Sequence, residues 1–100
     1  MIVKLNFYLT FWSVIFLDTM IETAQYVQKK LLKDNFAVFA FTGATKPERF
    51  IDSDASFNVG MAVGATSICN PGSVVICMNG SVMPAEKCLR EESSGLFKLK

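Results

Sequence analysis

The six residues Phe36-Ala37-Val38-Phe39-Ala40-Phe41 are apolar at every position, and this run restricts the fold more than any other stretch. A strand on a half-exposed sheet alternates apolar and polar side chains, whereas one covered on both faces has no polar face to show. Such a strand belongs inside a sheet flanked by helices, the usual setting of parallel pairing. The preceding residues agree. Ser13–Leu17 is a short apolar run that stops at Asp18-Thr19, after which Ile21, Ala24, Val27 or Gln28 and Leu31 recur three to four residues apart, the spacing of one helix face. Thr19 and Glu22 stand as N-cap and N3 of a capping box. Lys29, Lys30 and Lys33 complement the negative end of the helix dipole. Asp34-Asn35 breaks the pattern, so Ser13–Gly43 predicts a βαβ unit with a right-handed crossover.

Downstream, Thr45, Pro47 and Glu48 form a second helix start, and a short helix is expected from Pro47 to Asp54. Phe57-Asn58-Val59-Gly60-Met61-Ala62-Val63 alternates large and small residues and is read as a period-two strand closed by Gly64–Ser67. Asn70-Pro71-Gly72 is a turn, and Val74–Met78 a further strand ended by Asn79-Gly80. Asn-Gly is also the strongest hairpin signal, but Pro84 breaks the return segment Ser81–Pro84. A third helix is therefore expected from Pro84 to Glu92, followed by a loop and an edge strand or tail at Leu96–Lys100. The expected fold is α/β: one three-layer domain spanning 1–100, with a mostly parallel sheet of about four strands and helices on both faces.

Met1–Leu17 admits two readings. Lys4 followed by a largely apolar run resembles the n- and h-regions of a signal peptide. Against that, no small-residue cleavage site follows, and Asn6, Thr10 and Ser13 interrupt the run. The favoured reading is an opening segment around Ile2–Phe11, part strand, that leads into a core strand near Ser13–Leu17. A cytoplasmic location is expected, with secretion as the alternative, and no membrane association is favoured.

With 51% hydrophobic residues, 19% charged residues and a formal charge of +1, the chain is composed like a folded protein and has no global attraction to polyanions. It contains no histidine, which removes the commonest general base and every His-containing zinc site. Cys69, Cys77 and Cys88 do not have metal-knuckle spacing and are read as reduced thiols, two on strands or loops and one on a helix. A Cys69–Cys77 bridge in an oxidising compartment is the alternative. Glu48, Asp52 and Asp54 form a solvated helix face more readily than a metal cluster. No metal and no cofactor are expected.

If the apolar runs are parallel neighbours, their carboxyl ends share one edge: Asp18-Thr19, Thr42–Lys46, Gly64–Ser67 and Asn79–Ser81. Open α/β sheets bind ligands just outside that edge, and helix N-termini there offer backbone N–H groups to an anion. Thr19, Gly43, Thr45, Lys46 and Thr66 are the candidate phosphate- or nucleic-acid-binding residues. The competing reading is that these are ordinary turn and cap residues. Walker A and GxGxxG motifs are absent, and no nucleophile–base pair can be named. An active centre belonging to this chain alone is therefore the least favoured class.

The order VIFLDT, AQYVQKKLL, FAVFAFTGATKPER, Phe57, MAVGAT and VVICMN resembles the second RecA-like domain of superfamily 2 helicases. In that order Gly43, Arg49, Phe57 and Thr66 match family positions, and Thr19 matches the fourth motif. The resemblance implies a RecA-like or Rossmann-like binding module, non-catalytic alone, that holds a nucleic-acid backbone or nucleotide at its strand ends. The implied partners are nucleic acid or nucleotide, and a partner protein or second RecA-like domain. The acid and Arg-Gly turn expected after Thr66 and the sixth motif's arginine pair are missing. A small α/β protein-interaction domain and a secreted small protein are the alternatives.

Overall fold

The computed structural model describes residues 2–5, 9–12, 19–31, 38–44 and 53–100. Within these the chain runs Ile2–Leu5 (β1), Leu9–Trp12 (β2), Met20–Leu31 (α1), Val38–Thr42 (β3), Ala55–Ile68 (α2), Val74–Met78 (β4) and Ser81–Pro84 (β5). A 3-10 turn at Ala85–Lys87, then Cys88–Arg90 (β6) and Phe97–Leu99 (β7), complete the order.

The apolar run forms the middle of the sheet, as its composition requires. All five residues of β3 are buried, as are all five of β4. Among the described residues the main sheet has five strands in the order β2-β1-β3-β4-β5, and β6 and β7 form a separate pair. Among these described strands only β3 and β4 run parallel, with Phe39 opposite Val74 and Thr42 opposite Cys77. The β1–β2, β1–β3 and β4–β5 pairs are antiparallel.

Because side chains alternate across a strand, the central pair presents two different faces. Phe39, Phe41, Val74, Ile76 and Met78 pack with Met20 and Ala24 of α1, with Ile21 and Val27 at the margin. Ala40, Val75 and Cys77 point the other way, onto Ala62 and Ala65 of α2. One face is filled by large side chains, each contributing about 1.5–3 kcal/mol when fully buried. The other is filled by small ones, so α2 lies against the sheet on alanine. The α/β class and the helices on both faces therefore hold.

Four expectations are corrected. The sheet is mixed rather than mostly parallel, because β1 pairs antiparallel with both β2 and β3 and a two-residue hairpin turns β4 back into β5. Phe57–Val63 is part of α2, not a strand: Asn58, Ala62, Ala65 and Thr66 are its buried residues, and their spacing defines one helix face. Asn79-Gly80 is a hairpin turn, with Asn79 at φ 55° and Gly80 at φ 76°, the left-handed pair that a two-residue connection needs. Pro84 is the last residue of β5, on the sheet's edge, where a missing N–H costs no ladder bond. Finally, Pro84–Glu92 is not a helix: one 3-10 turn leads directly into β6, which pairs with β7. The expected strand at Ser13–Leu17 and the body of the expected Pro47–Asp54 helix lie outside the described residues.

Candidate functional site

Two helices start beside the carboxyl ends of the parallel strands. Gln25 Nε2 donates to the Ala85 carbonyl at 3.0 Å, and Ala85 follows Pro84, the register partner of Val75 near the start of β4. The middle of α1 thus lies over the beginning of β4, and its first turn, with exposed Thr19 just before it, lies toward the end of that strand. For α2 the placement is direct. Asn58 Nδ2 donates to the Gly43 carbonyl at 2.8 Å and to Asp54 Oδ2 at 2.9 Å. It also lies 3.6 Å from Met78 Sδ. One amide thus joins the first turn of α2 to the residue after β3 and to the last residue of β4.

The start of α2 is held locally by Ser53, whose Oγ accepts the Ala55 N–H at 3.1 Å, the task of a capping hydroxyl. Thr42 is fully buried, and its hydroxyl donates to the Cys77 carbonyl at 2.7 Å, closing the parallel pair at its carboxyl end. On the next turn, Asn79 Oδ1 accepts the Phe97 N–H at 2.7 Å, which brings β7 alongside. Arg90 follows with it, its guanidinium carbon 5.4 Å from the centre of the Phe97 ring and its Nε donating to the Gly95 carbonyl. Around this edge Gly43 and Ala44 are half-buried, and Asn79, Gly80 and Ser81 are exposed. Among the described residues this edge is a shelf of small residues and turn backbone, with Asp54 tied to it through Asn58 and Arg90 through Phe97.

Of the candidates read from the sequence, Thr19 and Gly43 belong to this edge. Thr45 and Lys46 lie outside the described residues. Thr66 does not reach it: it is buried in the last turn of α2, at the opposite end of the helix, and its hydroxyl donates to the Val63 carbonyl at 2.7 Å. Sequence reasoning missed Asn58 and Ser53; Asn79 stood in one of the expected edge segments, Asn79–Ser81, without being singled out as a binding residue. For Asn58 a signal was present, since a polar residue at the head of an Asn58–Ala62–Ala65 helical spacing is aimed into the interior.

The thiols offer no ready nucleophile at two of three positions. All three cysteines are free. Burial, and then the neighbouring Cys69, pushes the Cys77 thiol up to about 12. Burial also raises Cys88, against a smaller opposing pull from Lys100. Neither presents a thiolate at neutral pH. Cys88 lies on β6, not on the expected helix. Among the described residues no three His, Cys, Asp or Glu side chains gather as a metal site. Among them, too, no helix is long and apolar enough to cross a membrane.

Residues 17–99 match the family model described as Asparaginase, N-terminal. Comparison with curated proteins finds no match. The family match covers every described element from α1 to β7. It overturns the resemblance to a helicase RecA-like domain, and with it the nucleic-acid-binding role and keywords drawn from that resemblance. The strand–helix order and the Gly-Ala-Thr segments that suggested a helicase are generic to α/β chains; the match over these residues is not.

Proposed function

The chain belongs to the asparaginase N-terminal family, and from that premise we propose that it is an asparaginase-like domain that takes an asparagine-type side-chain amide at the carboxyl edge of β3 and β4. The observation that carries this is the match over residues 17–99. The edge supports it chemically. A primary amide offers two donors and a carbonyl acceptor, so it needs both kinds of partner within a few ångströms. Backbone groups of Gly43-Ala44 and Asn79-Gly80, the Ser81 hydroxyl and the exposed Thr19 are of both kinds. An α-amino acid ligand also carries one charge of each sign, and Asp54, bonded to Asn58, and Arg90, stacked on the Phe97 that Asn79 holds, bring one of each toward this edge.

Hydrolysis of such an amide requires a nucleophile, a group to take its proton and donors for the developing oxyanion. Thr19, ahead of the first turn of α1, is an exposed hydroxyl of this edge, and a helix start carries backbone N–H groups without intrahelical partners. With no histidine in the sequence, the proton acceptor is a carboxylate, a lysine or water. The test is calorimetric titration with L-asparagine, paired with an ammonia-release assay. Saturable binding within roughly 10 mM, above the usual KM range, is expected, and L-leucine should give none. Absence of binding together with absence of ammonia release would overturn the proposal.

A further inference from the structure

Asn58 is almost completely buried, 1% exposed, in a helix otherwise lined inward by alanine and threonine. A buried amide is retained only where its polar atoms are matched, because leaving them unpaired in the interior is costly. Here both Nδ2 hydrogens are spent across chain segments, one on the Gly43 carbonyl fifteen residues upstream and one on Asp54 Oδ2 one turn earlier. Among the described residues no buried side-chain polar atom lacks a partner. Further along the same helix face, Ala62 and Ala65 pack on the sheet with alanine alone, whereas Asn58 spends its amide on hydrogen bonds. Its three neighbours, Gly43, Asp54 and Met78, are the three points at which β3, α2 and β4 meet the carboxyl edge.

Resting on the amide-binding edge proposed above, we infer that Asn58 is a positioning residue for that edge. It fixes the Gly43 carbonyl, and with it the backbone of Gly43-Ala44, relative to Asp54, and touches no ligand itself. Gly43 has no side chain to hold it, and the ladder of β3 ends one residue earlier, at Thr42. The Asn58 amide is what keeps the segment after the strand from moving independently of α2.

The experiment compares Asn58→Asp, Asn58→Ser and a control, Ala65→Gly, which weakens the same face of the helix two turns away without touching the edge. Asn58→Asp keeps the shape and removes the donors; Asn58→Ser is the milder variant if the first does not fold. Backbone order parameters and L-asparagine affinity are measured on each. Both Asn58 variants should show order parameters at Gly43 and Ala44 falling from near 0.85 toward below about 0.6. L-asparagine affinity should fall about tenfold, the scale of one lost hydrogen bond of this kind. Ala65→Gly, at a matched loss of thermal stability, should leave both readouts unchanged. Unchanged order at Gly43 and Ala44 in both Asn58 variants, or equal effects from the control, would overturn the inference. Failure of the wild-type chain to bind L-asparagine would overturn the functional proposal instead, and the order parameters would still decide the role of Asn58.

Discussion

Cys77 sits on the interior strand β4 with none of its surface exposed, and burial, reinforced by Cys69, pushes its thiol up to about 12. Cys88 is 1% exposed and its thiol is likewise raised by burial, whereas Cys69, just past the end of α2, is only half-buried. Since the thiolate is the reacting species, the native chain should show one fast thiol toward an aromatic disulfide reagent at pH 8, and three after unfolding. Mass mapping should place the fast label on Cys69. Raising the pH from 8 to 10 should leave Cys77 slow, because its thiol stays protonated across that range; a second fast thiol at pH 10 assigned to Cys77 would contradict its burial. At this scale the sequence was legible in part. Gly43 announced itself as a glycine directly after an apolar strand. Thr66 sits in an equally suggestive Gly-Ala-Thr segment, and only the helical register of α2 shows that its hydroxyl is turned inward to the Val63 carbonyl.

Two elements were misread from the sequence for physical reasons that now make predictions. The buried face of α2 is built from small residues and its outer face carries apolar ones, Phe57 at 64% and Ile68 at 84% exposure. Its helical period is therefore blurred, and the alternation of large and small residues stands out instead. A Cβ added at Gly64 would meet nothing within 4 Å. Gly64→Ala should accordingly raise stability in urea unfolding by about 0.4–1 kcal/mol, by restricting the unfolded chain and favouring the helix. Ala62→Leu, on the face against Ala40 and Val75, should lower it by roughly 1–3 kcal/mol through overpacking. Equal effects would mean that α2 does not present these faces. The Asn79-Gly80 hairpin was signalled plainly but set aside because of Pro84. An edge strand tolerates a proline that a central strand would not. Gly80 adopts φ 76° with open space where a Cβ would lie, so Gly80→Ala should cost about 1–2 kcal/mol from backbone strain alone. A neutral result would mean that the turn is not of this type.

For the molecule as a whole, the alternation of apolar runs and helical spacing was enough to read an α/β chain with helices on both faces. The fully apolar stretch ending at Phe41 also located the middle of the sheet. Strand direction was not legible, because β1 reaches its place beside β3 by pairing across more than thirty positions, Ile2 opposite Phe41, and no local pattern encodes such a partner. Nor did element order identify the family, since many α/β chains place glycines, threonines and prolines after their strands for the same turn chemistry. What the assembled molecule adds is convergence. The ends of β3 and β4, the first turns of α1 and α2, and the Asn79 turn that anchors β7 meet at one edge. The most direct test is a nitrogen-15 resonance map of the chain titrated with L-asparagine. The amides of Gly43, Ala44, Asn79 and Gly80 should shift together and saturably, while those of Gly72 and Ser73, in the turn before β4, stay still. Shifts confined to Gly72 and Ser73, or none anywhere, would contradict a ligand site at the carboxyl edge.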